Sequence, residues 1–165
     1  MLLSLSVQNY ALIEQLNINF FNQFATITGE TGAGKSILLG ALGLVLGKRA
    51  DLTSLKNKEE KCVIEAYFDI SKYNLKPFFE ANDLDYEDET IIRREILPTG
   101  KSRAFINDSP VNLQELQELD EDIRLGPSTG AIVDAALARG IPYRRLSDGS
   151  LVQFGWGSKQ RRIQA

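Results

Sequence analysis

Residues 29–36 read Gly29-Glu30-Thr31-Gly32-Ala33-Gly34-Lys35-Ser36, and a run with almost no polar side chain follows, from Ile37 through Leu38, Leu39, Ala41, Leu42, Leu44 and Val45 to Leu46. The glycines permit backbone torsions closed to other residues, so consecutive N–H groups can turn inward on one point. The apolar run has the length and pattern of a helix. Its first turn adds N–H donors without intrahelical acceptors and the positive end of the helix dipole. A cation, Lys35, and a hydroxyl, Ser36, stand where loop meets helix. The spacing Gly29-x-x-x-x-Gly34-Lys35-Ser36 is the Walker A pattern, so the expected ligand is ATP or ADP with Mg²⁺. Backbone amides would cradle the phosphates, Lys35 would reach the β- and γ-phosphates, and the Ser36 hydroxyl would enter the Mg²⁺ shell. All eight residues form the candidate cofactor-binding set, Ser36 is the candidate metal ligand, and Glu30 and Thr31 occupy variable positions.

The sequence around the loop suits such a site. Phe24-Ala25-Thr26-Ile27-Thr28 is a short, continuously apolar run that leads into the glycines as a buried central strand would. A helix apolar all round is expected to be covered on most sides, here between two sheet layers, and Gly47 is a natural stop. Residues 2–7 and 16–20 alternate as half-buried antiparallel strands. Residues 61–70 do the same, with Cys62, Ile64, Ala66, Phe68 and Ile70 facing inward. A short helix is expected over Leu75–Ala81, interrupted near its start by Pro77. Strands follow at 89–97 and 102–107 around the turn Pro98-Thr99-Gly100-Lys101, and Asn107-Asp108-Ser109-Pro110 is a further turn. Asn112 and Glu115 form a capping box that opens a short helix to about Leu119. An acidic stretch, Glu118 to Asp122, precedes Gly126-Pro127. A second helix then spans Ser128–Arg139, and extended segments lie near 143–146, 150–154 and 159–164. The fold class expected is α/β, a P-loop NTPase core with an added antiparallel β subdomain.

Hydrolysis asks for more than a phosphate cradle. It needs a carboxylate at the end of an apolar strand to hold Mg²⁺ and orient water, and no such Walker B run is present. Ile132-Val133-Asp134 is the nearest mimic, in helical surroundings. Leu146-Ser147-Asp148-Gly149-Ser150 resembles the Leu-Ser-Gly-Gly signature of ABC-type ATPases, but a strand follows where that signature opens a helix, so a plain turn is expected. Gly126-Pro127-Ser128-Thr129-Gly130 lacks the lysine of a second anion site and reads as an ordinary helix cap. No catalytic residue is assigned. Arg93, Arg94, Lys101 and Arg103 are expected on solvated strand edges or paired with Glu87–Glu89, and Arg49 at the surface. Lys159, Arg161 and Arg162 near Trp156 make a small basic-aromatic cluster.

Composition narrows the class. The chain has 165 residues, 43% hydrophobic and 25% charged, the balance of a globular protein. It contains no apolar run of membrane-spanning length, and its amino terminus lacks the basic segment of a secretory signal. One cysteine and no histidine leave no disulfide, zinc site or His-based triad, and a cytoplasmic setting is expected. The net charge of −3 divides unevenly. Residues 1–119 hold 12 Lys+Arg and 17 Asp+Glu, and residues 120–165 hold 7 and 5, together the 19 and 22 of the whole chain.

Residues 1–119 resemble the amino-terminal part of the RecN DNA-repair ATPases, relatives of the SMC and ABC-type heads. The stretches that carry the likeness are Leu5–Ile13 (LSVQNYALI), Ile27–Asp51 (ITGETGAGKSILLGALGLVLGKRAD) and Ile92–Val111 (IRREILPTGKSRAFINDSPV). The resemblance implies a split head with Walker A on this lobe. An antiparallel coiled coil would follow, and a second lobe would carry the signature and Walker B. Two heads would sandwich ATP in the service of double-strand-break repair, with DNA a partner of the full-length protein. Carried over residue by residue, Gly29, Gly32, Gly34, Lys35 and Ser36 hold the phosphate-binding roles, and the lobe alone would be hydrolytically incomplete. Residues 120–165 resemble a piece of cyanophycin synthetase instead, through Leu125–Gly140, Ile141–Leu146 and Ser150–Ala165, too short to contain that family's nucleotide pocket. The expectation is a chimera with its seam near 119–127. Two other functions are compatible with a Walker A loop or with the carboxyl-terminal likeness. One is a P-loop kinase for a small molecule or nucleotide, and the other is part of an ATP-dependent cyanophycin ligase.

Overall fold

The computed structural model describes residues 1–21, 34–147 and 150–164. The expected strand at 24–28 and the loop residues Gly29, Glu30, Thr31, Gly32 and Ala33 lie outside the described residues, as do Asp148 and Gly149 of the signature-like turn.

Six antiparallel strands form the main sheet, in the order β2-β1-β3-β4-β5-β6. They are β1 (Leu2–Tyr10), β2 (Ile13–Asn19), β3 (Cys62–Asp69), β4 (Glu89–Ile96), β5 (Ser102–Ile106) and β6 (Ser109–Val111). Side-chain alternation decides which face is dry. Cys62, Ile64, Ala66 and Phe68 of β3 are buried together with Thr90, Ile92, Arg94 and Ile96 of β4, because residues two apart on a strand share a face. Register then aligns Val7, Ile64, Arg94 and Ala104 in one inward row across four strands. The opposite row, Asn17, Ser6, Glu65, Arg93, Phe105 and Pro110, faces out.

On the inner face lie α1 (Lys35–Val45) and the start of α3 (Leu113–Leu137). Helix α1 buries Ala41, Gly43, Leu44 and Val45 against the sheet, whereas Leu39 is 64% exposed. Cover on both sides of this helix was expected, and among the described residues only one sheet packs on it. Helix α2 (Lys76–Ala81) carries Pro77 in its first turn, where a missing N–H leaves no intrahelical bond unmade. Pro77 therefore starts the helix and does not interrupt it. The 107–110 turn is tighter than expected: Asn107 and Asp108 alone make the bend, both with positive φ (46° and 64°), and Ser109 and Pro110 already belong to β6.

The capping box at Asn112 is present in both directions, Glu115 N–H donating to Asn112 Oδ1 at 3.0 Å and Asn112 N–H to Glu115 Oε2 at 2.7 Å. The helix it opens does not stop at Leu119. Helical turns continue through the acidic stretch, supported by an Arg124–Asp120 ion pair at 2.7 Å, until Gly126 breaks them with φ 74° and ψ 159°. Pro127 then begins the second half. The described core forms two separate apolar clusters, which divide on α3 between Ile123 and Leu125, just before this kink. The larger ends with Leu116 and Leu119, with Ile123 packed against it. The smaller joins Leu125, Val133 and Ala136 to Val152 and Phe154 of a three-stranded sheet of β7 (Tyr143–Arg145), β8 (Val152–Phe154) and β9 (Arg161–Ile163).

Candidate nucleotide-binding site

The described part of the Walker A segment is its junction with α1. Gly34 is the N-cap, with φ −92° and ψ −46°, and no side chain caps it. The first intrahelical bond runs from Leu38 N–H to the Gly34 carbonyl at 3.1 Å, so the first-turn amides have no carbonyl one turn back within the helix. Gly34 and Ser36 are exposed and Lys35 is half-buried. A β-carbon built on Gly34 would meet no heavy atom within 4 Å. The start of α1 thus exposes Gly34 and Ser36 and carries a cation and a hydroxyl beside them. A phosphate oxygen shell needs those features, and Ser36 is a suitable hard-oxygen donor for Mg²⁺.

Three close contacts fix where α1 points. Gly40 lies against the Tyr10 hydroxyl, 2.6 Å from where a β-carbon would stand. Burial raises the pKa of that phenol above its ordinary value, and a Ser54 hydrogen bond opposes the shift. Gly43 lies under the Lys48 side chain, and Gly47, at φ 90°, abuts Gln117 of α3, whose Nε2 donates to the Gly47 carbonyl at 3.0 Å. Sequence reasoning saw Gly47 as a stop and missed Tyr10 and Gln117 as supports. The signal available was the Gly40-x-x-Gly43-x-x-x-Gly47 spacing, which lines small residues along one side of the helix.

Other residues singled out in the sequence fall elsewhere. Asp134 sits inside α3 and accepts from Asn74 Nδ2 at 2.9 Å. Arg94 corrects the expectation of solvated strand arginines. It is 1% exposed, its Nη2 donates to Ser102 Oγ at 3.2 Å, and its Nε has no partner. Desolvation lowers its pKa. Adjacent strand residues face opposite ways, so Arg93 and Arg94 cannot both be wet. Ile92 and Ile96 share the parity of Arg94, which sends Arg94 inward. Arg93 is paired, though not with Glu87–Glu89: it reaches Asp108 at 2.9 Å and Glu65 at 3.7 Å and lies 4.5 Å over the Phe105 ring.

Beyond the helix mouth, Asn9 holds the 57–61 loop. With φ 53°, it donates from Nδ2 to the Asn57 and Glu60 carbonyls, both at 2.9 Å, and accepts from Asn57 N–H at 2.6 Å. This clamp lies at the end of β1 beside Tyr10 and so stiffens the same corner that supports α1. No helix among the described residues is long and apolar enough to cross a membrane.

The RecF/RecN/SMC N terminal domain family matches residues 1–150, a span that runs past the seam expected near 119–127. The chain is 43% identical over 122 residues to the DNA repair protein RecN of Vibrio cholerae, covering 73% of this chain and 22% of that protein. It is 43% identical over 124 residues to RecN of Synechocystis, covering 72% and 21%. The chain therefore spans about a fifth of the length of the curated relatives it matches. Among solved structures, the Smc head domain with an extended coiled coil bound to the C-terminal domain of ScpA, derived from Pyrococcus furiosus, superposes with TM-score 0.59 at 19% identity, covering 77% of this chain and 34% of that one. The recombination mediator RecF-ATPrS superposes with TM-score 0.54 at 19% identity, covering 70% and 29%. An antiparallel sheet with a helix whose start carries Gly34, Lys35 and Ser36, joined to these likenesses over most of its length, places the chain in the RecF/RecN/SMC N-terminal domain family.

Proposed function

We infer that this chain is the ATP-binding lobe of a RecN-like DNA-repair ATPase, and that it holds Mg-ATP or Mg-ADP through residues 29–36. The observation that supports the reading is the start of α1, where first-turn amides without intrahelical acceptors adjoin Lys35 and Ser36, and where a β-carbon on Gly34 would meet no described heavy atom within 4 Å. Gly29, Glu30, Thr31, Gly32 and Ala33 would supply the rest of the amide cradle. Mg²⁺, when bound, would neutralise phosphate charge, and the Ser36 hydroxyl would be this chain's ligand to it. Lys35 would hold the β- and γ-phosphates as a point charge.

In this reading the lobe binds without turning over. Asp134, on helix α3, accepts from Asn74, and the sequence contains no apolar run ending in an acidic pair. The second lobe and a partner head would complete the site, with DNA engaged by the full-length assembly in double-strand-break repair, all in the cytoplasm. The exposed side of α1 around Leu39 is compatible with cover by further protein. The antiparallel sheet beside α1 favours a head of this type over a P-loop kinase, in which parallel strands would flank the loop. Residues 120–165, with their own small apolar cluster from Leu125 onward, would be an appended unit resembling cyanophycin synthetase without its nucleotide pocket. A ligase reading would require a set of acidic Mg²⁺ ligands, and among the described residues no group of three or more His, Cys, Asp or Glu side chains could hold a metal. Cleavage confined to 117–128 in limited proteolysis, with two unfolding transitions, would support that division, and a single transition without cleavage would oppose it.

The test is titration calorimetry of Mg-ATP and Mg-ADP into wild type and Lys35→Ala. Saturable heat lost in the variant, with negligible phosphate release by either, is the expected result. Equal heats would remove the nucleotide assignment, and robust turnover by the isolated chain would overturn the incomplete-lobe reading.

A further inference from the structure

The carboxyl-terminal sheet carries a charge pattern that the ATP-binding reading does not use. Between residues 143 and 164 stand Arg144, Arg145, Lys159, Arg161 and Arg162 against one acid, Asp148. The sheet sorts them. Tyr143, Val152, Phe154 and Ile163 face the small apolar cluster on α3. The alternate residues share the other face, and register aligns Arg144, Gln153 and Arg162 in one row across all three strands. Gln153 is 3% exposed, and its Oε1 accepts from Arg162 Nε at 3.4 Å, so the middle of the row is a covered amide flanked by two exposed guanidinium groups. Beside it Trp156 is 59% exposed, with the Arg144 guanidinium 5.9 Å from its ring centroid. Lys159 is exposed in the same segment. Among the described residues no carboxylate lies within ion-pair distance of Arg144, Lys159, Arg161 or Arg162. Arg145 differs: it lines the acidic side of α3 with Asp120 and Glu121.

A row of cations without counter-charges, beside an indole whose ring is mostly bare, is complementary to a ligand that offers phosphates and flat rings together. We propose that the face of the β7–β8–β9 sheet bearing Arg144, Arg162 and Trp156 binds single-stranded nucleic acid. Arg144, Arg162 and Lys159 take backbone phosphates and one unpaired base stacks on Trp156. Stacking on a flat aromatic needs a base outside a duplex, which separates this surface from one that grips double-stranded DNA by its backbone. An acidic peptide would satisfy the cations and leave the indole without a role.

Trp156 is the chain's one tryptophan, so intrinsic fluorescence reports on this face alone. The full chain, without nucleotide or Mg²⁺, is titrated with oligothymidylate. Saturable quenching is expected, with affinity falling roughly 20-fold between about 50 and 200 mM salt if three cations engage phosphates. Trp156→Leu, followed by anisotropy of a labelled oligonucleotide, should weaken binding about fivefold to a hundredfold. Arg144→Gln/Arg162→Gln should weaken it further and flatten the salt slope, and an unchanged far-ultraviolet circular dichroism spectrum and urea unfolding curve would show that the fold is retained. Arg103→Gln, which removes an exposed cation on the other sheet, should change nothing. Absence of quenching overturns the proposal. So does equal affinity for duplex DNA, polyglutamate that binds and quenches as well as the oligonucleotide, or an Arg103→Gln effect as large as that of the double variant.

Discussion

Replacing Gly47 by alanine tests how α1 is held. Two separate costs can be worked from the structure. Gly47 has φ 90°, and a left-handed backbone costs a residue with a β-carbon about 1–2 kcal/mol. The new carbon would also stand 2.8 Å from Gln117 Cγ, 3.3 Å from Gln117 N and 3.4 Å from the Leu113 carbonyl oxygen. The first contact is with a side chain that can swing away, though only by giving up its hydrogen bond to the Gly47 carbonyl, worth about 0.5–1.5 kcal/mol. The other two are backbone at the start of α3, pinned by the capping box, and displacing it is an overpacking cost of about 1–3 kcal/mol. Gly47→Ala should therefore lose roughly 3–5 kcal/mol in equilibrium urea unfolding, a large share of the ~5–15 kcal/mol typical of a domain. The two sites are in contact and should couple. In a Gln117→Ala background the side-chain overlap and its hydrogen bond are already gone, and the cost of Gly47→Ala should fall by at least ~1 kcal/mol. A loss below about 1 kcal/mol in the single variant would refute the left-handed turn. An identical cost in both backgrounds would refute the contact with Gln117.

Two more expectations concern charged side chains in unfavourable surroundings. Arg94→Met keeps most of the side-chain volume and removes a buried guanidinium that has one hydroxyl partner. By analogy with buried charges replaced by apolar groups, it should be neutral to stabilising, by up to about 3 kcal/mol, whereas Arg94→Ala should destabilise by leaving a cavity; a clear loss in the methionine variant would mean the charge has a carboxylate or carbonyl partner in solution. Partial desolvation, with Asp134 and Glu121 nearby, raises the Asp122 carboxyl above its ordinary value near 3.8. The folded state thus disfavours the charged form, and the resulting penalty is full above the raised value and disappears as pH falls toward the unfolded one. Asp122→Asn should raise the melting temperature at neutral pH and confer no advantage near pH 4, and a pH-independent difference would contradict this cause.

Much of the fold was legible because alternation is a strong signal when one face is dry. β3 and β4 fall within a residue or so of the expected ends, and the capping box at Asn112 and Glu115 is read directly from two side chains three residues apart. Failures came where one local signal met another. Arg93-Arg94 was read as a charged pair at the surface, although strand parity already placed one of the two inside. The helix opened at Asn112 was expected to end near Leu119, where the acidic stretch Glu118–Asp122 begins, but a helix surface accommodates such a run, and Asp120 with Arg124 stabilises it through one turn. Gly126-Pro127 was correctly seen as a break, and the structure adds that helix continues on both sides of it. At the candidate site, Gly34, Lys35 and Ser36 were legible from motif spacing. The supports of α1, Tyr10 and Gln117, were not, because Tyr10 lies 30 positions from Gly40 and Gln117 lies 70 from Gly47, and a periodicity carries no information on such contacts.

The amide groups of the Walker A loop are the claim on which the functional account stands, and their response to phosphate can be observed individually. In ¹⁵N-resolved NMR spectra of the labelled chain, Mg-ATP and Mg-ADP should shift the amides of Gly32, Gly34, Lys35 and Ser36 strongly and saturably, whereas AMP, lacking the β-phosphate that Lys35 would hold, should leave them nearly unmoved. Shifts that cluster away from residues 29–36, or equal responses to AMP and ATP, would contradict a phosphate cradle at the start of α1.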